Sequence, residues 1–198
     1  MALFRLMARG DCQREVQEAA AEDGIALTKQ SFPWLCQRGH LGLPDEAAGA
    51  RDALREIYAA LHGDEDELAA ARTTRLTGDF LHEPTGTLVE VDEHQHFTSA
   101  RLTTLKQYPA DARLGFDLER YILLCKKWRL QADRAFAHRS AAGFGPGGRQ
   151  RQRAYYDALR DLATPAMGHP PLIRIDAPMN NGRAAYLAQR HRMLAMLS

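Results

Sequence analysis

Residues 73–97 read TTRLTGDFLHEPTGTLVEVDEHQHF. Their β-branched residues, stretches of period-2 alternation and the central turn Glu83-Pro84-Thr85-Gly86 describe a β-hairpin. Side chains alternate across a strand, so Glu90, Asp92, His94 and His96 share one face if the strand runs through. Val89 and Val91 then point the other way, into a core. With an even number of turn residues Asp79 stands directly opposite Glu90, the β-carbons roughly 5 Å apart. Pro84 with Gly86 also fits a three-residue bulged turn, which shifts the register by one and sets Asp79 against Val91. In the even register two facing carboxylates repel unless a cation intervenes. Hard ions such as Mg²⁺ take one or two carboxylates and keep positions open for water and phosphate.

Helical signals surround the hairpin. Ala50, Leu54, Ile57, Tyr58 and Leu61 recur on one face after Pro44 and stop at Gly63. A shorter polar helix is expected over 11–22, an ill-determined stretch over 24–44, and an acidic turn at Gly63–Leu68. In the second half, Leu118, Tyr121, Ile122, Cys125, Trp128, Ala132 and Phe136 share a helical face, and SAAGFGPGG (140–148) is a flexible break. RQRQRAYYDALRDLA reads as helix and PPLIRIDAP as a proline-bounded strand. GRAAYLAQRHRMLAML closes as a helix with Ala184, Leu187, His191 and Leu194 on one side. The expected architecture is α/β: a central mixed sheet flanked by helices over 45–198, a basic helical insertion at about 100–150, and a partly helical N-terminal extension over 1–44.

At 198 residues the chain has room for one domain with a real core. No apolar run approaches the eighteen or so residues of a membrane span, and MALFRLMARGDC lacks the apolar core and cleavage site of a secretion signal. The cytoplasm is the expected compartment, and Cys12, Cys36 and Cys125, widely spaced, are expected as buried thiols. A net charge of +1 hides an asymmetry: residues 1–100 carry 9 Lys/Arg against 18 Asp/Glu, residues 101–198 carry 17 against 7. Such halves are self-complementary, or they set a basic surface for a polyanion beside an acidic, metal-holding site. GFGPGG lacks the GK[ST] of a phosphate-cradling loop, which argues against ATP.

The run Asp79-Phe80, then Glu90-Val91-Asp92, then Gln95-His96 resembles the centre of the PD-(D/E)XK restriction-endonuclease-like superfamily, most of all the small nucleases related to the very-short-patch mismatch endonuclease. The likeness covers about 20 residues, and RAYYDALRDL followed by LIRIDA resembles that family's later helix and last core strand. The resemblance implies a Mg²⁺- or Mn²⁺-dependent nuclease acting on nucleic acid, DNA before RNA, with a restriction-endonuclease-like core. It implies Asp79, Glu90 and Asp92 as metal ligands and catalytic residues, Asp92 standing where many members carry lysine, with His96 as proton donor or water-positioning group and Gln95 as a polar clamp. Three departures stand out: Gly78 replaces the proline of the motif, Glu93 replaces a glycine common in the subgroup, and no lysine occupies the XK position, where Asp92 sits. Lys106, Arg134, Arg139, Arg149, Arg151 and Arg153 are candidate phosphate contacts. The competing readings are a catalytically inactive nuclease-like module that binds nucleic acid or a protein partner, and a zinc-stabilised structural domain; His94 is expected to be exposed.

Overall fold

Helices cover both faces of a three-stranded sheet in the computed structural model, which describes residues 10–29 and 31–197. In chain order the elements are α1 (Asp11–Glu22), β1 (Ser31–Cys36), α2 (Ala48–Ala60), α3 (Glu65–Ala70), β2 (Arg75–Thr77), β3 (Phe80–His82), β4 (Thr87–Glu93), α4 (Ser99–Leu105), α5 (Leu118–Ala132), α6 (Arg149–Ala166), β5 (Ile173–Ala177) and α7 (Gly182–Leu197). β3 and β4 pair antiparallel, β4 and β5 pair parallel, so β4 is the middle strand. A parallel pair needs a long crossover, here the helices α4, α5 and α6. β1 and β2 form a separate antiparallel ribbon.

The two sheet faces are built differently. Val89 and Val91 of β4, with Phe80, Ile173 and Ile175, meet Cys12, Val16 and Ala20 of α1 and Tyr186 and Met193 of α7 in one apolar layer. On the other face Leu81 and Leu88 join Leu54, Ile57 and Tyr58 of α2, Tyr121 and Cys125 of α5, and Leu159 of α6. The three cysteines are buried and unpaired to one another. Among the described residues no helix is long and apolar enough to cross a membrane.

Several sequence expectations give way to packing. The helix 11–22, assigned to an extension, is one wall of the second core, because its small residues Ala19 and Ala20 admit close approach to α7. Residues 1–9 of that extension lie outside the described region. The acidic turn is helix α3, started by Asp64, whose carboxylate accepts from Glu67 N–H and whose followers Glu65 and Asp66 suit a helix N-terminus. α7 buries Gly182, Tyr186, Met193 and Leu197 rather than the Ala184–Leu187 side, and Leu187 is 53% exposed. Tyr186 fills the core with its ring while its hydroxyl donates to Asp23 Oδ2 at 2.8 Å, an anchor that Leu187 lacks.

Candidate active site

The hairpin takes the even register. Phe80 pairs with Val89, Leu81 with Leu88 and His82 with Thr87 around a four-residue turn closed by Gly86 at φ 69°. Extending the pairing by one step sets Asp79 against Glu90, and the two are laced together. Asp79 N–H donates to Glu90 Oε1 at 3.1 Å, and Val91 N–H donates to Asp79 Oδ2 at 2.8 Å. Both carboxyls resist ionisation. Burial raises the pKa of Asp79, and burial pushes Glu90 up to about 7 although Arg160 opposes the rise.

Below this pair the same sheet face is polar and closed. Strand β4 ends at Glu93, and His94–His96 form a 3₁₀ turn, so the four expected residues do not all continue on one strand face. His94 swings out to Asn180, which accepts from its backbone N–H at 3.3 Å and lies 3.1 Å from its Nδ1; it is half-buried, not exposed. His96 comes back beneath Asp92, its Nδ1 3.1 Å from Asp157 Oδ2 and 3.3 Å from Asp92 Oδ1. Burial alone would depress this imidazole, but Asp157 and Asp92 outweigh it and hold the pKa above the ordinary histidine value. Burial likewise opposes ionisation of Asp157, yet His96 and Arg174 keep that carboxyl well below the usual range.

Asp92, expected as a third metal ligand, has both oxygens engaged by other side chains. It is 1% exposed, both its oxygens accept from Arg174 Nη1 at 2.9 Å, and Tyr121 donates to Oδ2 at 3.1 Å. Arg174 is wholly buried and also donates to Asp161, which receives Arg101 and Tyr108 as well. Among the described residues no group of three or more His, Cys, Asp or Glu side chains gathers as a metal-holding set. With two arginines against Asp92, Asp157 and Asp161, the buried cluster is neutral when His96 is protonated.

A model of the Family of unknown function (DUF7255) matches residues 56–190, more than half of the 198-residue chain. The chain belongs to that family. No curated protein and no solved structure matches it. The DUF7255 region runs from the second half of α2 into α7 and so contains the whole sheet β3–β4–β5 and every residue of the polar cluster.

The basic residues expected to contact phosphate divide within the DUF7255 region. Lys106, Arg134 and Arg139 are exposed. Arg149 donates to Gln152 within α6 and Arg151 to the Phe144 carbonyl in the loop before it, so both are partly spent on local contacts. Arg153 donates to the backbone carbonyl of Gln95 at 3.2 Å and thereby reaches the rim of the site. The Gln95 amide turns to Glu93 at 2.9 Å. Arg139 and Arg153 lie 4.9 and 5.2 Å from the ring centre of Phe136, which holds an unfavourable φ of 62° for a bulky residue.

Six residues of the polar cluster were not expected: Arg101, Tyr108, Asp157, Arg160, Asp161 and Arg174. In α6, Asp157, Arg160, Asp161 and Thr164 recur at helical spacing and alternate with Ala158, Leu159, Leu162 and Ala163, a pattern that in sequence is the same as that of a helix with one solvated face. All eight are buried. A helix that buries both its apolar and its polar stripe has a polar partner, and here that partner is the Glu90–Asp92–Arg174 face of the sheet.

Proposed function

We propose that the chain is a Mg²⁺- or Mn²⁺-dependent endonuclease hydrolysing phosphodiester bonds of nucleic acid, with DNA the preferred polymer, on a restriction-endonuclease-like sheet. The observation that carries this reading is the facing of Asp79 and Glu90 across an antiparallel register, next to β4's Asp92 and the Gln95-His96 turn. The donor set fits a hard ion. The described hydrogen bonds engage Oδ2 of Asp79 and Oε1 of Glu90, which leaves the second oxygen of each for a cation. Two carboxylates also suit an ion that keeps water and a phosphate in its remaining positions, and the raised pKa values mark a pair in need of positive charge. A bound Mg²⁺ supplies Lewis-acid polarisation of the phosphate and a more acidic water.

The protein's own groups do the rest. Hydrolysis forms a bond from water oxygen to phosphorus and breaks the P–O bond to the sugar; the water loses a proton and the departing oxygen gains one. His96, with Nδ1 held by Asp157, keeps Nε2 for that exchange. Arg153, Arg139 and Arg134 offer charge to the phosphates. The inactive binding module has one observation in its favour: Asp92, at the motif's lysine position, is locked to Arg174. Titration calorimetry with Mn²⁺ separates the two. The nuclease reading expects a site in the wild type that is lost in Asp79→Ala; no Mn²⁺ binding at all turns the reading toward the module.

A further inference from the structure

Arg160 is the residue the polar cluster leaves unfinished. It stands on α6 facing the carboxylate pair, with its side chain 11% exposed. Its Nη1 donates to the Tyr156 carbonyl at 3.2 Å and its Nη2 to the Thr77 carbonyl at 3.0 Å, one tether from its own helix and one from β2. These two bonds fix the guanidinium plane. Of the donors left, Nη1 also lies 4.0 Å from Asp157 Oδ1, while Nε is buried, makes no hydrogen bond, and lies 3.5 Å from Glu90 Oε1. A buried guanidinium N–H without an acceptor is costly and uncommon, and this one has a carboxylate in front of it but no hydrogen bond, which leaves it a donor for an incoming oxygen. The neighbouring arginine cannot substitute: Arg174 spends Nε on Asp161, Nη1 on Asp92 and Nη2 on the Asp157 carbonyl.

Resting on the nuclease reading above, we propose that Arg160 is the phosphate-facing cation of the Asp79–Glu90 site, its Nε–H donating to a non-bridging oxygen of the bound phosphodiester. Arg160 transfers no proton and forms no covalent bond. It meets the charge that builds on the phosphate oxygens, from a position set in advance by two backbone carbonyls. The tethers also explain why an arginine serves here. Lysine has a single nitrogen and cannot both hold two carbonyls and present a third N–H in a fixed plane.

The test compares wild type, Arg160→Gln and Arg160→Lys in two assays. The first is calorimetric binding of thymidine 3′,5′-bisphosphate with Ca²⁺, which needs no turnover. The second is single-turnover cleavage of a DNA oligonucleotide with Mn²⁺. Arg160→Gln is expected to weaken bisphosphate binding at least tenfold and to slow cleavage at least 100-fold while Mn²⁺ binding persists. Arg160→Lys is expected to recover part of the affinity and less of the rate. Should Arg160→Gln fail to fold, Arg160→Lys alone decides, with at least threefold weaker bisphosphate binding required. Unchanged bisphosphate affinity in a folded variant overturns the assignment, and if wild type still cleaves, the nuclease reading survives it. A wild type that binds the bisphosphate through Arg160 yet cleaves no DNA or RNA keeps the assignment and sinks the hydrolytic reading.

Discussion

Glu90 sits in the middle strand at 6% exposure, between an aspartate it must repel and an arginine 3.5 Å away. A carboxyl raised to about 7 by burial adds stability below its unfolded value of 4.5 and loses it as pH rises through 7. The neutral isostere escapes that loss. Glu90→Gln is therefore expected to stabilise the metal-free protein at pH 8 by about 1–3 kcal/mol and to have little effect at pH 5, as read by thermal unfolding in EDTA. The same variant should lose cleavage, the usual conflict between stability and a charged site. Arg174 behaves in the opposite sense. Replacing it by methionine strands Asp92 and Asp161 without their shared cation, and should cost about 3–5 kcal/mol in denaturant unfolding.

Helix α6 is the element on which the site depends. It delivers Asp157 to His96, Arg160 to Glu90, Asp161 to Arg174 and Arg153 to the Gln95 carbonyl. Because Asp157 is the foremost group raising the His96 pKa against burial, Asp157→Asn should lower it, seen as an NMR histidine titration moving to lower pH. The hairpin was readable beforehand because a period-2 strand and a short turn admit few registers, here two, and side-chain type then says which face is polar, though not that helices bury it. The polar stripe of α6 was not, since Asp157, Arg160 and Asp161 have the spacing of an ordinary solvated face, and only the sheet's own charges make them interior. The same holds for α7, where spacing alone could not rank Tyr186 above Leu187, and for β1, whose Pro33 and mixed burial blur any strand period. For binding, Arg134→Ala with Arg139→Ala should reduce the salt slope of DNA affinity by about 2 without touching Mn²⁺ binding.

Across the molecule the charge asymmetry is partly self-complementary. Glu22 and Asp23, at the end of α1, pair with Arg183 and Arg190 of α7, so acidic and basic halves meet on the surface. The interior repeats the pattern where Arg174 meets Asp92 and Arg160 meets Glu90, and Lys106, Arg134 and Arg139 are the exposed members of the expected phosphate contacts. Stability should accordingly be bounded on both sides in pH. Asp157, depressed below its unfolded value, contributes above about pH 4 and loses its contribution as pH falls. His96, raised, contributes in full below its unfolded value of 6.5 and loses it as pH rises through the folded one. A stability maximum between these limits is the expected result of denaturant titrations across pH in EDTA, and a stability that keeps rising past pH 8 would exclude this balance.

Supercoiled plasmid and single-stranded DNA test most directly whether Asp79 and Glu90 would hold an ion for the hydrolysis of nucleic acid. Both substrates are incubated with wild type and Glu90→Ala in Mg²⁺, Mn²⁺ or EDTA. The expected result is nicking or degradation by wild type in Mg²⁺ or Mn²⁺, none in EDTA, and at least a 100-fold loss in Glu90→Ala with DNA binding retained. Cleavage in EDTA, or undiminished cleavage by Glu90→Ala, would contradict the account.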